Sequence, residues 1–294
     1  MEKNQFIRSL DNLIIYWINM DKSTKRRKYM KQVLQDPVFK GIPKTRIPAF
    51  DSEKQNIMDK LIITKKSPHM TPSTYGCLIS HLDTIHTFSK SDYDFALIVE
   101  DDLSLHEYKP FWNKSLDEIV RGSPPDWEIL QLGFGLNDSN PSGLPKIEYT
   151  PMSIGNYWQT VSYLISKAGA KRFIKEYYVD GKYRLYNNIC QEADNFIFHV
   201  LRTYTYQFPL FTNNTVLDST IRRDKQNEKE IYSKLSQELL QEHACRNKKN
   251  NNKTLKKCKN LKKCKKPGIL AKKNWQATRC INGKRKLGFI GVDY

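Results

Sequence analysis

The sequence predicts an α/β fold in which helices flank a mostly parallel sheet, followed by a basic extension. Short apolar runs of strand length alternate with segments at helical spacing, and the third run ends in three acidic residues, "EDD". Alternation of this kind is typical of a parallel sheet. Because such sheets bind ligands at the carboxyl ends of their strands, the three acids mark a candidate site.

The basic extension is evident from the distribution of charge along the 294 residues, whose net charge is +18. Residues 241–294, here called the tail, contain 17 Lys and Arg against 2 Asp and Glu. Residues 1–240, here called the body, contain 32 and 29. The nearly neutral body is unlike a nucleic-acid-binding fold. The tail is typical of an appended segment that binds an anionic partner, whether a phosphate-rich glycan, a nucleic acid or an acidic membrane.

Cysteine content and hydropathy indicate the compartment. Four of the six cysteines lie in the tail, so the body has too few for a disulfide scaffold. Cys258 and Cys264 are spaced too widely for a typical structural zinc site. The sequence shows neither a signal peptide nor an apolar run of about 18 to 20 residues. These features predict a soluble, cytoplasmic protein, with a virion or a host compartment as alternatives, and they do not determine the oligomeric state.

Five apolar runs predict strands, because they are short and rich in β-branched and aromatic residues. In chain order they cover residues 12–20, 45–52, 94–103, 126–135 and 157–166.

Six segments predict helices, because their apolar residues recur at helical spacing. The second places Leu78, Leu82, Ile85 and Phe88 on one stripe. The six cover residues 21–35, 71–90, 109–122, 166–178, 187–204 and 228–244.

Glu100, Asp101 and Asp102 form the acidic turn after the third strand. Carboxylates this close raise one another's pKa, and a divalent cation would offset that cost. Mg²⁺ and Mn²⁺ bind oxygen ligands, commonly one or two carboxylates together with phosphates. An acid triplet alone is also compatible with solvated side chains, of which one caps the next helix.

Sequence blocks around this turn resemble glycosyltransferase family 25, which includes lipooligosaccharide and procollagen galactosyltransferases. They occur in the family's order between about residues 14 and 221: "YWINMDKSTKRR", "RIPAFDS", "TPSTYGCLISH", "ALIVEDDLSL", "ILQLG", "SYLISKAGAKRFI", "EADNFIF" and "DSTI". The acid that often precedes the family's Gly-Cys pair is absent here. The basic tail has no counterpart in the family, and a viral member is one interpretation of the chain.

The resemblance implies a GT-A type catalytic domain over residues 1–240. It implies transfer of glucose or galactose from a UDP-sugar, with inversion, to a glycan or to a protein hydroxyl such as that of hydroxylysine. Mn²⁺ or Mg²⁺ is the implied cofactor. The alternative is an inactive scaffold of the same fold whose tail binds an anionic partner.

Individual site residues follow from matching positions in these blocks. Glu100, Asp102 and Asp218 are the expected metal ligands. Asp194 is the first candidate for the general base, and Glu192 is the second. The residues expected to bind the nucleotide are Asn19, Asp21, Arg26, Ala49, Asp51, Ser80, His81 and Asp101. Asp51 could instead cap a turn, His81 could be a core residue, and Arg26 could be a solvated charge.

Overall fold

The computed structural model describes most of the body and a short part of the tail. It describes residues 7, 10–63, 70–136, 144–155, 157–186, 191–214, 217, 238 and 240, and the backbone of 278–281 and 284–287. The predicted closing helix (228–244) lies almost entirely outside the described residues, as does most of the tail.

Strands and helices alternate along the body. The helices are α1 (Thr24–Val33), α2 (Pro72–Ser89), α3 (Leu116–Gly122), α4 (Met152–Gly155), α5 (Lys167–Tyr177) and α6 (Ala193–Val200). The strands are β1 (Leu13–Asn19), β2 (Lys44–Pro48), β3 (Leu61–Ile63), β4 (Phe95–Glu100), β5 (Leu103–Ser104), β6 (Ile129–Gly135), β7 (Tyr149–Pro151), β8 (Trp158–Ser166), β9 (Tyr178–Val179), β10 (Lys182–Leu185), β11 (Thr203–Tyr206), β12 (Thr212–Asn213), β13 (Thr278–Ile281) and β14 (Lys284–Leu287).

The central sheet has seven strands in the order β2-β1-β4-β8-β6-β11-β7. β2, β1, β4, β6 and β11 run in one direction, whereas β8 is antiparallel to both of its neighbours and β7 is antiparallel to β11. The predicted α/β fold with a mostly parallel sheet is therefore confirmed. Smaller sheets join β3, β10 and β9, pair β12 with β5, and pair β13 with β14.

Both faces of the sheet are covered at its centre, which explains why β1, β4 and β6 are apolar without alternation. In β1, Ile14, Tyr16 and Ile18 face the core that contains α2, α5 and α6. Ile15 and Trp17 face the opposite core, which contains α1 and α3. All seven residues of β1 are buried.

α2 confirms the predicted apolar stripe. Leu78, Leu82, Ile85 and Phe88 are all fully buried. Each such side chain stabilises the fold by about 1.5 to 3 kcal/mol relative to an exposed one. The Thr71 hydroxyl accepts a hydrogen bond from the Thr74 N–H at 3.2 Å and so caps the start of α2.

Two predicted helices are shorter in the structure than in the sequence analysis. The segment 109–122 forms a single 3₁₀ turn, Lys109–Phe111, and then α3, which begins at Leu116. Ser115 and Glu118 form a capping box that fixes this later start. The helix predicted to reach Tyr204 ends at Val200, because Leu201 is extended and β11 follows, and the first residues of that prediction, 187–190, lie outside the described residues.

No helix in the described part of the chain is both long and apolar enough to cross a membrane.

Candidate active site

The candidate site lies where several strands of the central sheet end at one edge. β1 ends at Asn19, and β4 ends beside it at Glu100, since Ile18 pairs with Glu100 across the two strands. β8 runs in the opposite direction and therefore begins at this edge, at Trp158. The carboxyl edge of the parallel strands is where the sequence predicted the site.

Asn19 connects the end of β1 to the acidic turn. Its side chain is 1% exposed, and Nδ2 donates to Asp101 Oδ2 at 2.6 Å. Its Oδ1 accepts hydrogen bonds from Nε of Arg27 at 2.9 Å and Nε of Arg46 at 3.1 Å. The end of β1 is thus held in place by buried polar contacts with residues of α1 and β2 and with the turn after β4.

Arg26 binds two carboxylates of the acidic turn at once. Its Nη1 donates to Asp101 Oδ1 at 2.6 Å, and its Nη2 forms an ion pair with Asp102 Oδ2. The three side chains are 13%, 7% and 16% exposed, respectively. The interpretation of Arg26 as a solvated charge is therefore wrong, because the side chain is largely buried and paired.

Burial dominates the pKa shifts of the two aspartates in this turn. Removal of Asp102 from water raises its pKa to about 7, against the lowering effect of Arg26. Burial likewise raises the pKa of Asp101, again opposed by Arg26. One guanidinium therefore does not fully compensate for the neighbouring carboxylates.

Glu100 is directed toward β8 and α2. Its Oε1 accepts a hydrogen bond from Thr160 Oγ1 at 2.6 Å and lies 3.5 Å from His81 Nε2. The other ring nitrogen of His81 lies 3.2 Å from the Tyr163 hydroxyl. Burial raises the pKa of Glu100, but the contacts with His81 and Thr160 together lower that pKa by more, so the net shift is downward. His81 is buried at the site, in contact with one of its acids.

Asp194 lies at the start of α6 and contacts the backbone at the start of β8. Its Oδ2 accepts a hydrogen bond from the Gln159 N–H at 3.0 Å, and its Oδ1 accepts one from the Asn195 N–H at 2.9 Å. Gln159 has a φ of 83°, in the left-handed region that non-glycine residues rarely occupy. The second candidate base, Glu192, accepts a hydrogen bond from Asn195 Nδ2 at 3.2 Å.

The sequence analysis missed Gln131, which holds the unusual backbone at the start of β8. Its Nε2 donates to the carbonyl oxygens of Trp158 at 3.2 Å and Gln159 at 3.0 Å. Its Oε1 accepts a hydrogen bond from Thr205 Oγ1 at 2.7 Å. The signal that could have identified it is a single amide in the apolar run "ILQLG", where a buried polar side chain needs partners.

The remaining predicted nucleotide-binding residues have contacts inside the protein. The Ser80 hydroxyl accepts from the Phe50 N–H at 2.9 Å and donates to the Gly76 carbonyl at 2.6 Å, joining the loop after β2 to α2. Asp51 Oδ1 accepts from the Glu53 N–H at 3.2 Å, so the predicted turn-capping alternative is present.

Asp21 and Ala49 complete this set. Asp21 is 77% exposed and forms ion pairs with Arg27 and Arg46. Ala49 packs against the core, and its N–H donates to the Asn19 carbonyl at 3.1 Å. Both therefore surround Asn19 at the end of β1.

Asp218 lies outside the described residues. The chain passes the acidic turn before it, since the Asn214 N–H donates to the Asp102 carbonyl at 2.6 Å.

Asp102 offers one buried oxygen ligand to a divalent cation. Asp102 Oδ1 is buried and has no hydrogen-bond partner. Within the described ranges, no group of three or more His, Cys, Asp and Glu side chains could hold a metal ion. Mg²⁺ and Mn²⁺ often bind one or two carboxylates together with phosphate oxygens. The residues present therefore fit a cation shared between Asp102 and a bound diphosphate.

Comparison with known proteins identifies the family. Residues 12–183 match the model of glycosyltransferase family 25 (LPS biosynthesis protein). A protein of Anopheles gambiae named "Glycosyltransferase 25 family member" is 24% identical over 178 residues, which are 55% of this chain and 28% of that protein. This chain thus spans less than a third of that relative's length.

Two solved structures are similar at 11% sequence identity. One is a glycosyltransferase involved in the glycosylation of the major capsid of PBCV-1, with a TM-score of 0.39 over 76% of this chain and 98% of that chain. The other is A197 from STIV, with a TM-score of 0.34 over 68% and 82%.

The family match covers more than half of the chain and includes β1, α2, the acidic turn and β8. It thus contains Asn19, Arg26, His81 and Asp102, which the fold brings to one edge of the sheet. The chain therefore belongs to glycosyltransferase family 25.

Proposed function

We propose that the protein is a metal-dependent, inverting glycosyltransferase that moves a hexose from a UDP-sugar to a hydroxyl group of a glycan or a protein. The observation that carries the proposal is the junction at the start of β8. Two consecutive residues there, Gln159 and Thr160, contact Asp194 and Glu100, respectively. A candidate base and the acidic turn are thus held on one short piece of backbone.

The turn supplies the donor half of this chemistry. Asp102 would hold Mn²⁺ or Mg²⁺ through its unpartnered Oδ1. When bound, the ion neutralises charge on the departing diphosphate. Glu100 remains a proposed second ligand. Its contacts with Thr160 and His81 fix the orientation of its side chain at the start of the turn.

Asp194 supplies the acceptor half. In an inverting transfer the acceptor oxygen bonds to the anomeric carbon while the bond from that carbon to the UDP oxygen breaks. The hydroxyl proton must then pass to a base. Because two backbone N–H groups bind the Asp194 carboxylate, its position does not depend on a mobile side chain.

A donor screen tests the proposal. UDP release would be measured from UDP-glucose, UDP-galactose and other nucleotide sugars, with Mn²⁺ and with EDTA. Release from one donor that requires metal, and that Asp102→Ala abolishes without unfolding the protein, is the expected result. Absence of both release and UDP binding would contradict the proposal and favour the inactive scaffold.

A further inference from the structure

We infer that Arg26 is an internal competitor of the divalent cation, which closes the acidic turn in the empty protein and leaves it when metal and nucleotide bind. The inference deepens the proposed function and rests on it in one respect, since it takes a nucleoside diphosphate as the ligand that receives Arg26. It concerns Arg26 as a binding residue with two alternative sets of partners.

The first support is the set of oxygens that Arg26 occupies. Its guanidinium takes one oxygen of Asp101 and one of Asp102. The second oxygen of Asp101 accepts from Asn19. Of the four carboxylate oxygens of Asp101 and Asp102, only Oδ1 of Asp102 remains without a hydrogen-bond partner. A cation can therefore gain further ligands from these two residues only where the guanidinium now lies.

The second support is that the pairing leaves buried groups unsatisfied. Arg26 Nε has no hydrogen-bond partner, and neither does Asp102 Oδ1, although both atoms are buried. Unpaired buried polar atoms of charged groups carry a desolvation cost. Arg26 also faces the charges of Glu100, Asp101 and Asp102, and a divalent ion would compensate for them better than a single guanidinium.

The third support is chemical. A guanidinium binds carboxylate and phosphate oxygens with the same planar pair of donors. A diphosphate therefore offers Arg26 equivalent partners when a metal ion takes Asp102. If the exchange occurs, metal and nucleotide strengthen each other's binding, because each removes a cost that the other would otherwise meet.

The test uses the full-length chain without nucleotide and measures Mn²⁺ affinity by the loss of the free Mn²⁺ signal in electron paramagnetic resonance. Arg26→Gln removes the competitor and should tighten Mn²⁺ binding by about fivefold or more. Arg27→Gln is the matched control. It removes the same charge from the adjacent position, where the side chain contacts Asn19 and Asp21 and forms no ion pair with the turn.

A smaller change in Arg27→Gln than in Arg26→Gln supports the inference. Unchanged or weaker binding in Arg26→Gln overturns it, as does equal tightening in both variants, which would indicate a general charge effect. Absence of Mn²⁺ binding in all three proteins also overturns it. If circular dichroism shows that Arg26→Gln is unfolded, Arg26→Lys decides, because a lysine ammonium lacks the planar pair of donors with which the guanidinium holds Asp101 and Asp102. Tighter binding than wild type supports the inference, and equal or weaker binding overturns it.

The donor screen separates this inference from the proposed function. Metal-dependent UDP release without tightening in Arg26→Gln would overturn the inference and leave the function. Tightening in Arg26→Gln with neither UDP release from any donor nor UDP binding would support the competition by Arg26 and contradict the function.

Discussion

Asp194 and Glu192 lie two residues apart, but the structure gives them different surroundings. Asp194 contacts the start of β8 through the Gln159 N–H, whereas the Glu192 contact with Asn195 remains within the first turn of α6. If Asp194 is the base, Asp194→Asn should lower kcat by about 10²- to 10⁴-fold, because the amide cannot accept the acceptor's proton. Initial rates of UDP release, under conditions that give metal-dependent release by the wild type, measure this.

Glu192→Gln is the matched control for that substitution, since it makes the same chemical change on the same helix. Its kcat should stay close to that of the wild type. Equal losses in the two variants, or full activity of Asp194→Asn with a native circular dichroism spectrum, would remove Asp194 from the role of base.

The same residues show how far single positions can be predicted from sequence. The ends of two apolar runs correctly predicted that Asn19 and the acidic turn lie at the carboxyl ends of strands, because the position where a run stops marks the end of its strand. The partner of Arg26 could not be predicted in this way, since 75 residues separate it from Asp101. Nor could local sequence show that Gln159, with its φ of 83°, presents its N–H to Asp194.

At the scale of elements, the start of β8 is the feature on which the site depends. The pairing of β6 with β8 shifts register twice, between Gln131 and Gly133 and between Gly133 and Gly135. Gln131 bridges this irregular stretch to β11 through Thr205. Loops and bulges near an active site commonly direct side chains in this manner.

Gln131→Leu tests that role. The substitution leaves the carbonyls of Trp158 and Gln159 without their amide donor, so the N–H that binds Asp194 should shift. We expect kcat to fall by about 10²-fold, the scale of a displacement of about 1 Å at a reacting group, with a smaller effect on KM for the donor. Steady-state kinetics with a thermal melt as the folding check would measure both.

Thr205→Val is the control for Gln131→Leu. It removes the hydroxyl that donates to Gln131 Oε1 but leaves the Gln131 amide able to bind both carbonyls. Its loss of kcat should be smaller. A Gln131→Leu protein with unchanged kcat would show that β8 positions Asp194 without this amide.

Elements were predicted with uneven success for a physical reason. The apolar runs located β1, β4, β6 and β8, because both faces of these central strands are buried, and the run at 45–52 located the less buried strand β2. The direction of β8 was not predictable, since an apolar run carries no sign of whether its neighbours are parallel. The start of α3 was placed too early, because helix propensity continues N-terminal to Ser115, whose capping box begins the helix. The end of α6 was placed too late, because Leu201 is extended.

At the scale of the whole molecule, Glu128 joins the edge of the sheet opposite the candidate site to two other segments. Its 3% exposed carboxylate accepts hydrogen bonds from Arg172 Nε and Nη2 at 2.5 Å each, and from the Arg202 N–H at 2.8 Å. Burial raises the pKa of Glu128, but the two arginine residues lower it by more, so the net shift is downward from 4.5.

A downward shift means that this contact stabilises the fold at pH values above the unfolded pKa, near 4.5, and stops doing so as the pH falls through the folded pKa. Glu128→Gln should therefore lower the free energy of unfolding at pH 7 by about 1.5 to 3 kcal/mol, and by progressively less below pH 4.5. Urea melts at several pH values measure the difference.

Asp117→Asn serves as the control for this pH series. Asp117 pairs with Arg121 one helical turn away, where the arginine is 71% exposed, and such exposed pairs contribute little. A Glu128→Gln difference that persisted unchanged at pH 3 would show that the charge of Glu128 is not its source.

The junction of body and tail gives the last prediction. Leu240 is 1% exposed and packs with Tyr108, Phe134, Leu136 and Tyr157, so a truncation must spare it. A chain ending at residue 244 keeps this contact and removes most of the basic excess. Because the acidic turn, Asp194 and their partners all lie in the body, this chain should retain the wild-type kcat for metal-dependent UDP release. Loss of release from a truncated protein with an unchanged thermal melt would show instead that the tail takes part in the transfer.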